Sequence, residues 1–282
     1  MEFTTQTIAG VDLRIAARTS GKPTVVLTNA FPQSIRCWES LWERLGERFD
    51  LLAVDLPGFG RSDGSIMRPS AHADTLIALM DSRGIDRAFI VGPDVGTPVA
   101  LFAAAMHPTR VLGINVFDGP GFWPPDFDPV LRLATTSRLV RWLGTRPLLR
   151  RSLMRQNFEV ATRRGYHHFQ PSEGAAAEYK QICFDPQKHQ SAFDYLGSYR
   201  EELPTLEEKL GSIEVPVLIT WGADDAFVLP SNAEKLHARL PNSKLTVFED
   251  AGHFSHEDAD ARWLERFTRF GETVIEQERI AV

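Results

Sequence analysis

Ala88-Phe89-Ile90-Val91-Gly92-Pro93-Asp94-Val95-Gly96 is the stretch that decides the fold. Its first four residues form an apolar run as long as a buried strand, and an Ala-rich segment over 97–106 has the composition of a helix. Small residues on both sides of Asp94 permit a tight turn between the two. The stretch therefore predicts a strand, a sharp turn with one carboxylate at its tip, and a helix.

Strand-like and helix-like segments alternate on both sides of this unit. Two short strands with period-two alternation surround Gly10. Further strands are predicted at 24–28, 51–54, 88–91, 111–117, 215–220 and 244–248, and helices at 38–48, 70–83, 97–106, 231–239 and from 257 onward. The alternation favours an α/β fold with a mostly parallel, doubly wound sheet, whose ligands bind beyond the carboxyl ends of the strands.

The alternation stops between Gly119 and about Pro204, where the sequence is helical in character and rich in aromatic residues and arginine. We interpret this stretch as a helical cap inserted over the strand ends. The predicted domains are therefore an α/β core at 1–118 and 206–282 and a cap at 119–205.

Composition narrows the class of protein. Hydrophobic residues make up 43% and charged residues 24%, as in ordinary globular proteins, and the net charge of −6 gives no basic footprint for nucleic acid. No apolar run approaches the ~20 residues that span a bilayer, and the N-terminus lacks a signal pattern. Cys37 and Cys183 form neither a disulfide framework nor a metal spacing. We expect a cytoplasmic protein without nucleic-acid or membrane partners and without metal or organic cofactor; a homodimer stays open.

Asp94 occupies the place of the nucleophile in a nucleophile elbow, although an aspartate at this point could also cap the following helix. Two later motifs favour catalysis. Gly222-Ala223-Asp224-Asp225 follows the strand that resumes the core, and Ala251-Gly252-His253-Phe254 follows the last strand. Each alone is an ordinary turn or loop. Nucleophile, acid and histidine in this chain order predict a catalytic triad.

Outside the cap, most of residues 3–275 resemble the α/β-hydrolase family. Asp55-Leu56-Pro57-Gly58-Phe59-Gly60-Arg61-Ser62 is similar to the family's D-x-x-G-x-G-x-S loop. Phe31-Pro32-Gln33 with Trp38 resembles the H-G-F-P-x…W stretch of epoxide hydrolases, from which the sequence departs at Asn29-Ala30. The resemblance implies the α/β-hydrolase fold with an inserted cap, and an oxyanion hole formed by the backbone N–H groups of Phe31 and Val95.

The aspartate at the elbow resembles the branches of the family that use an Asp nucleophile, namely epoxide hydrolases, haloalkane dehalogenases and haloacetate dehalogenases. A carboxylate is ionised at neutral pH and attacks an sp³ carbon to form an alkyl ester, which water activated by His253 then hydrolyses. Attack on a carboxylic ester would give a strained anhydride. Asp94 therefore argues against an esterase.

Three positions distinguish the branches. Haloalkane dehalogenases carry Trp and haloacetate dehalogenases Arg directly after the nucleophile, where this sequence has Val95. Pro98 stands in place of the second Arg of the haloacetate enzymes, and Phe31 in place of a common Asn. These departures favour an epoxide hydrolase, with a dehalogenase as the alternative. A non-catalytic ligand receptor of the same fold is the alternative from another class, against which the complete triad argues.

Epoxide opening needs a proton donor in the cap, because an unassisted alkoxide is a poor leaving group. Phe193-Asp194-Tyr195 and Tyr166-His167-His168-Phe169 resemble the cap stretches that carry a donor tyrosine and its partner histidine in a group of bacterial epoxide hydrolases. Tyr199-Arg200 resembles the Y-R dipeptide of other members. We therefore predict Tyr195 as the first candidate donor and Tyr199 as the second, with His168 at the substrate.

Two carboxylates compete for the place of the triad acid. Asp225 has the family's usual position, but Asp118 ends the strand after the nucleophile helix, 24 residues beyond Asp94, where several relatives place their acid. We favour Asp225. Aromatic residues of the cap, including Trp123 and Phe169, indicate a small apolar substrate.

Overall fold

An eight-stranded sheet forms the centre of the protein in a computed structural model that describes residues 1–64 and 67–281. The strand order is β1-β2-β4-β3-β5-β6-β7-β8. The strands are β1 Thr4–Ile8, β2 Val11–Arg18, β3 Thr24–Thr28, β4 Asp50–Val54, β5 Ala88–Pro93, β6 Val111–Phe117, β7 Val217–Gly222 and β8 Ser243–Phe248. β1 pairs antiparallel with β2, and β2 with β4, while every other neighbouring pair is parallel.

Helices cover both faces of this sheet. They are α1 Trp42–Gly46, α2 Pro69–Ser82, α3 Gly96–Met106, α4 Pro129–Thr136, α5 Arg138–Gly144, α6 Pro147–Gly165, α7 Glu173–Phe184, α8 Pro186–Leu210, α9 Ser231–His237, α10 Ser255–Asp258 and α11 Asp260–Ala281. Successive residues of β3 point to opposite faces: Val26 packs in the core cluster that includes α2 and α3, and Val25 and Leu27 pack in the cluster that includes α1 and α11. Across the described ranges, no helix combines the length and apolar character needed to cross a bilayer.

The predicted fold class is confirmed. The predicted β3 to β8 agree with the observed strands to within two residues at each end, because each is a short apolar run covered on both faces. All five residues of β4 are buried, for example.

The predicted helix over 38–48 is wrong in its first half. A 3₁₀ turn occupies Ile35–Trp38, and only Trp42–Gly46 is α-helical. The Ser34 hydroxyl accepts the N–H of Arg36 and starts the turn, and the Trp38 indole N–H donates to the carbonyl of Thr28 at 2.8 Å. This hydrogen bond holds Trp38 in the core at the end of the 3₁₀ turn. Trp38 and the later apolar residues therefore follow helical spacing without belonging to one continuous helix.

Five helices, α4 to α8, lie between β6 and β7, and we call them the helical insertion. The last of them extends through Pro204 to Leu210, past the predicted boundary at 205. Leu203, Leu206 and Leu210 are all buried and follow helical spacing, so the helix continues where it packs against the core.

Glu178 on α7 attaches the helical insertion to the core. Its carboxylate accepts hydrogen bonds from Arg14 at 2.5 Å, from Ser34 at 2.5 Å and from Arg36 at 3.1 Å. Burial alone would raise the pKa of Glu178, but these bonds outweigh it and lower that pKa below its ordinary value of 4.5. The ionised carboxylate therefore stabilises the folded protein.

We expect Glu178→Gln to lower the free energy of unfolding by roughly 2–3 kcal/mol at neutral pH, because it removes the negative charge that pairs with Arg14 and Arg36, two mostly buried cations. A carboxyl group whose pKa is lowered by folding contributes above its unfolded pKa and loses that contribution as the pH falls through the folded value. The difference between wild type and variant should therefore shrink below about pH 4.5. Urea unfolding at several pH values measures it.

Glu201→Gln is the matched control, since Glu201 also lies in the helical insertion and pairs with Arg68 at 3.6 Å with a side chain that is 74% exposed. Its effect should stay within about 0.5 kcal/mol. Equal losses in the two variants would contradict the role of Glu178.

Candidate active site

Asp94 lies at the tip of a sharp turn between β5 and α3. Its backbone has a φ of 45°, in the left-handed region that non-glycine residues seldom occupy. A Cβ atom at Gly92 would lie 2.2 Å from the carbonyl oxygen of Gly96, and one at Gly96 would lie 2.1 Å from the Thr28 hydroxyl. The two glycines are therefore required by close packing, and the strained turn holds the carboxylate beyond the sheet.

The structure brings Asp94, His253 and Asp225 together. His253 Nδ1 lies 2.9 Å from Asp225 Oδ2, and His253 Nε2 lies 3.7 Å from Asp94 Oδ1. The other oxygen of Asp225 accepts the backbone N–H groups of Phe227 and Val228 at 2.9 and 3.0 Å. Asp225 is thus fixed by backbone donors and in turn orients the imidazole.

Asp118, the competing acid, makes different contacts. One of its oxygens accepts the N–H of Gly222 at 3.1 Å, and the other accepts the N–H of Ser255 at 3.0 Å. Its φ of 54° lies in the left-handed region as well. Neither oxygen forms a hydrogen bond with His253 among the contacts of the described chain. Asp118 therefore joins the loop that carries Asp225 to the loop that carries His253.

Electrostatics place a proton on His253. Burial alone would lower the pKa of this imidazole, but the charge and hydrogen bond of Asp225, with the charges of Asp94 and Asp118, raise it to about 9. Burial raises the pKa of Asp94, and the His253 charge and the N–H of Phe31 oppose that rise. The free protein at neutral pH therefore holds an imidazolium whose Nε2 lies 3.7 Å from Asp94 Oδ1.

Backbone N–H groups from the loop after β3 and from the elbow itself donate to the Asp94 carboxylate. The N–H of Phe31 donates to Asp94 Oδ2 at 2.8 Å, and the N–H of Val95 also hydrogen-bonds the carboxylate. Asn29, where the sequence departs from the resembled motif, accepts the N–H of Leu56 at 2.8 Å and donates to the carbonyl of Ala30 at 2.9 Å. Its side chain thus fixes the loop that aims Phe31 at Asp94.

Tyr195 and Tyr199 lie on α8, one helical turn apart, and both are almost fully buried. The Tyr195 hydroxyl donates to the carbonyl of Val95 at 2.6 Å, and its ring stacks on His72. No hydrogen-bond partner from the described residues reaches the hydroxyl of Tyr199. Burial raises the pKa of both tyrosines, and the Asp94 charge raises it further, so both stay protonated at neutral pH.

Among the described residues, no hydrogen bond, ion pair or ring contact joins the remaining predicted residues to Asp94. Trp123 is half-buried against the core. His168 is exposed, and Phe169 is half-buried beside Tyr166, with ring centroids 5.9 Å apart. The backbone N–H groups of both donate to Asp258 at the start of the last helices. The structure therefore does not bring His168 to Asp94, because this anchored backbone turns its side chain to the surface.

Phe227 is a site residue that sequence analysis missed. Its ring lies 5.2 Å from the ring of His253, and its N–H holds Asp225. The signal was its place two residues after Asp225, since a carboxylate at a turn often accepts such an N–H. Metal binding has no candidate in residues 1–64 and 67–281, where no three His, Cys, Asp or Glu side chains are grouped suitably.

Three known proteins are similar to this chain over most of its length. "Haloalkane dehalogenase 2" of Mycobacterium bovis is 28% identical over 261 residues, which cover 85% of this chain and 85% of the relative. A 2-hydroxy-6-oxononadienedioate/2-hydroxy-6-oxononatrienedioate hydrolase of Paraburkholderia phymatum is 26% identical over 277 residues, which cover 95% of this chain and 91% of the relative. The solved structure of epoxide hydrolase CorEH shares the fold, with a TM-score of 0.80 and 21% identity, over 97% of this chain and 99% of that one.

A family model also matches the chain over most of its length. It describes the alpha/beta hydrolase fold and covers residues 23–260, from β3 through the loop that carries His253. The elbow, the histidine loop and the strands β3 to β8 lie in the matched part. The chain therefore belongs to the alpha/beta hydrolase fold family.

Proposed function

We propose that the protein hydrolyses epoxides through a covalent ester of Asp94. One observation carries the proposal: backbone N–H groups hold the Asp94 carboxylate, and the buried Tyr199 lies near enough for the Asp94 charge to add to the effect of burial in raising its pKa. Such a site holds a nucleophile and a proton donor at once. An epoxide needs both, because its carbon is attacked while its oxygen becomes an alkoxide.

In the first step, Asp94 Oδ1 attacks an epoxide carbon, and the bond between that carbon and the ring oxygen breaks. The ring oxygen takes the phenolic proton of Tyr199. Oδ2 becomes the carbonyl oxygen of the ester and stays bonded to the N–H of Phe31. The imidazolium of His253 returns a proton to Tyr199, by way of solvent.

In the second step, His253 acts as the base. Ester formation removes the Asp94 charge, which is one of the charges that raise the pKa of His253, so the imidazole gives up its proton more easily than in the free enzyme. Neutral His253 then accepts a proton from water, and the hydroxide attacks the ester carbonyl. The N–H groups of Phe31 and Val95 stabilise the oxyanion on Oδ2. Collapse gives the diol, which takes the second water proton, and regenerates the Asp94 carboxylate and the imidazolium.

We expect Tyr199→Phe to slow alkylation by epoxides about 10²-fold, because a general acid contributes roughly that factor. From the contacts of the two tyrosines we propose the reverse of the order predicted from sequence: Tyr195 already donates to the Val95 carbonyl, so Tyr195→Phe should slow the reaction less. Rapid-quench measurement of the alkyl-enzyme with styrene oxide gives the rates.

Chloroacetate is the control substrate, since chloride leaves without a proton and any reaction with it should not respond to Tyr199→Phe. A Tyr199→Phe, Tyr195→Phe double variant that opens styrene oxide at the wild-type rate would contradict tyrosine assistance.

Dehalogenation is the second candidate function. The 28% identity to a haloalkane dehalogenase over 85% of the chain favours it. A panel of epoxides, haloalkanes, haloacids and carboxylic esters, with each product identified, separates the two. Diol formation supports the epoxide hydrolase. Halide release without any diol replaces it with a dehalogenase, and binding without turnover indicates a receptor.

A further inference from the structure

A cavity of about 50 Å³ lies next to two loops of the candidate active site. Pro32 and Phe254, which line it, directly follow Phe31 and His253 in the sequence. Much of the remaining lining comes from α6 and α7 of the helical insertion. Although most of its wall is apolar, Gln33, Tyr166 and Tyr179 also line it. The cavity lining and the candidate active site therefore share the loop after β3 and the loop that carries His253.

Two polar atoms around the cavity are buried without a partner. The Tyr179 hydroxyl and Oε1 of Gln33 have no hydrogen bond within the described chain, although the two residues are only 4% and 1% exposed. Native proteins seldom leave buried polar atoms unpaired, because such atoms lose their water and gain nothing. Both residues line the same space, so a single ligand group there could satisfy both atoms.

Glu257 is hydrogen-bonded to two of the residues that line the cavity. Nε2 of Gln33 donates to the Glu257 carboxyl at 2.5 Å and to the Tyr166 hydroxyl at 2.7 Å, and that hydroxyl donates to the same carboxyl at 2.9 Å. Lysine and arginine form no ion pair with Glu257 in the part of the chain that is described. Burial raises the pKa of Glu257 to about 8, above the opposing effect of these hydrogen bonds, so the cluster is largely uncharged at neutral pH.

We propose that this cavity is a subsite that binds a neutral hydroxyl group of the substrate. The Tyr179 hydroxyl donates a hydrogen bond to the oxygen of the ligand hydroxyl, and Oε1 of Gln33 accepts a hydrogen bond from that hydroxyl. A hydroxyl both donates and accepts, so it satisfies both unpaired atoms, whereas a carboxylate lacks the donor and would face a buried carboxyl with no cation nearby. The inference rests on the proposed function only for the reacting end of the substrate. Together, the two proposals describe a substrate that has an epoxide at one end and a hydroxyl group at the other.

Binding of two matched probes tests the subsite without any reaction. Benzyl alcohol and ethylbenzene differ by one OH in place of CH₃, and hydrophobicity alone favours ethylbenzene. We expect the wild-type protein to bind benzyl alcohol at least about tenfold more tightly, measured as Kd by ligand-observed NMR. Tyr179→Phe should reduce this preference to about one or reverse it. Equal or tighter binding of ethylbenzene by the wild type would overturn the proposal, since the cavity then holds only water or apolar groups.

The melting temperature separates a ligand-binding tyrosine from one that only stabilises the fold. Because the Tyr179 hydroxyl is buried and unpaired, Tyr179→Phe should leave the melting temperature unchanged or raise it while alcohol binding is lost. Thr162→Val is the matched control: Thr162 lines the same cavity, but its hydroxyl donates to the Phe158 carbonyl at 2.8 Å. It should keep the preference for benzyl alcohol. A preference that survives Tyr179→Phe and disappears in Thr162→Val would refute the assignment.

Turnover of matched epoxides extends the test. The ratio of kcat/KM for para-hydroxymethylstyrene oxide to that for para-ethylstyrene oxide should exceed about ten in the wild type and fall towards one in Tyr179→Phe. The two assays separate the proposals: alcohol-selective binding without epoxide turnover retains the subsite and rejects the epoxide reaction. Epoxide turnover with no preference for the hydroxyl in either assay does the opposite.

Discussion

Asp94→Ala is expected to abolish turnover, with a loss of 10⁴-fold or more, on the order of that seen when a covalent nucleophile is removed. The remaining site keeps His253 and Asp225 but has no atom that can form the ester. Turnover of the best substrate of the panel measures the loss. Asp224→Asn is the control, because Asp224 lies beside Asp225 in the sequence yet is exposed, and its turnover should stay within about twofold.

Isotope labelling shows whether Asp94 reacts or only binds. In ¹⁸O-water with enzyme in excess, one turnover should place the label in the Asp94 peptide, and the first product should contain none. This follows because water attacks the ester carbonyl, so the product oxygen comes from Asp94 itself. Label in the first product, with none in Asp94, would show that water attacks the substrate directly.

His253→Gln is expected to stop the reaction at the ester, the second of the two largest effects. Without the base, alkylation of Asp94 can proceed but hydrolysis should slow by about 10³-fold or more. The intact mass of the variant should rise by the mass of one substrate molecule, and the modified peptide should contain Asp94. His237→Gln, a change at an exposed histidine on α9, should accumulate no adduct. A His253→Gln protein that turns over at the wild-type rate would remove His253 from the mechanism.

The pattern of the core could be predicted because its signals are local. Strands such as β4 are buried along their whole length, so their apolar runs mark them. The elbow could be recognised in the sequence because close packing requires glycine on both sides of Asp94. Asp225 and His253 stand directly after strands, and parallel strands end at one edge of the sheet, so chain position alone predicted that the three residues would meet.

The helical insertion could be predicted only in outline, because its side chains are placed by contacts distant in sequence. The order in which we propose Tyr199 and Tyr195 as proton donors depends on the Val95 carbonyl, 100 residues away from Tyr195 in the sequence. That carbonyl accepts the Tyr195 hydroxyl and not the Tyr199 hydroxyl. His168 reaches the surface because Asp258 holds its backbone. Glu257 reads as an ordinary charged residue of a helix end, and only packing against Gln33 and Tyr166 buries it.

The backbone donors that hold both acids have an evolutionary consequence. Asp225 is fixed by the N–H groups of Phe227 and Val228, and Asp118 by those of Gly222 and Ser255, and all four donors belong to the core. Every residue except proline keeps its backbone N–H whatever side chain it bears, so most mutations nearby leave this framework in place. Tyr179 and Tyr199, by contrast, belong to the helical insertion. On the roles proposed for Tyr179 and Tyr199, we therefore expect lineages of such a protein to change these two side chains, and with them the substrate, while they keep Asp94, His253 and Asp225 in the same arrangement.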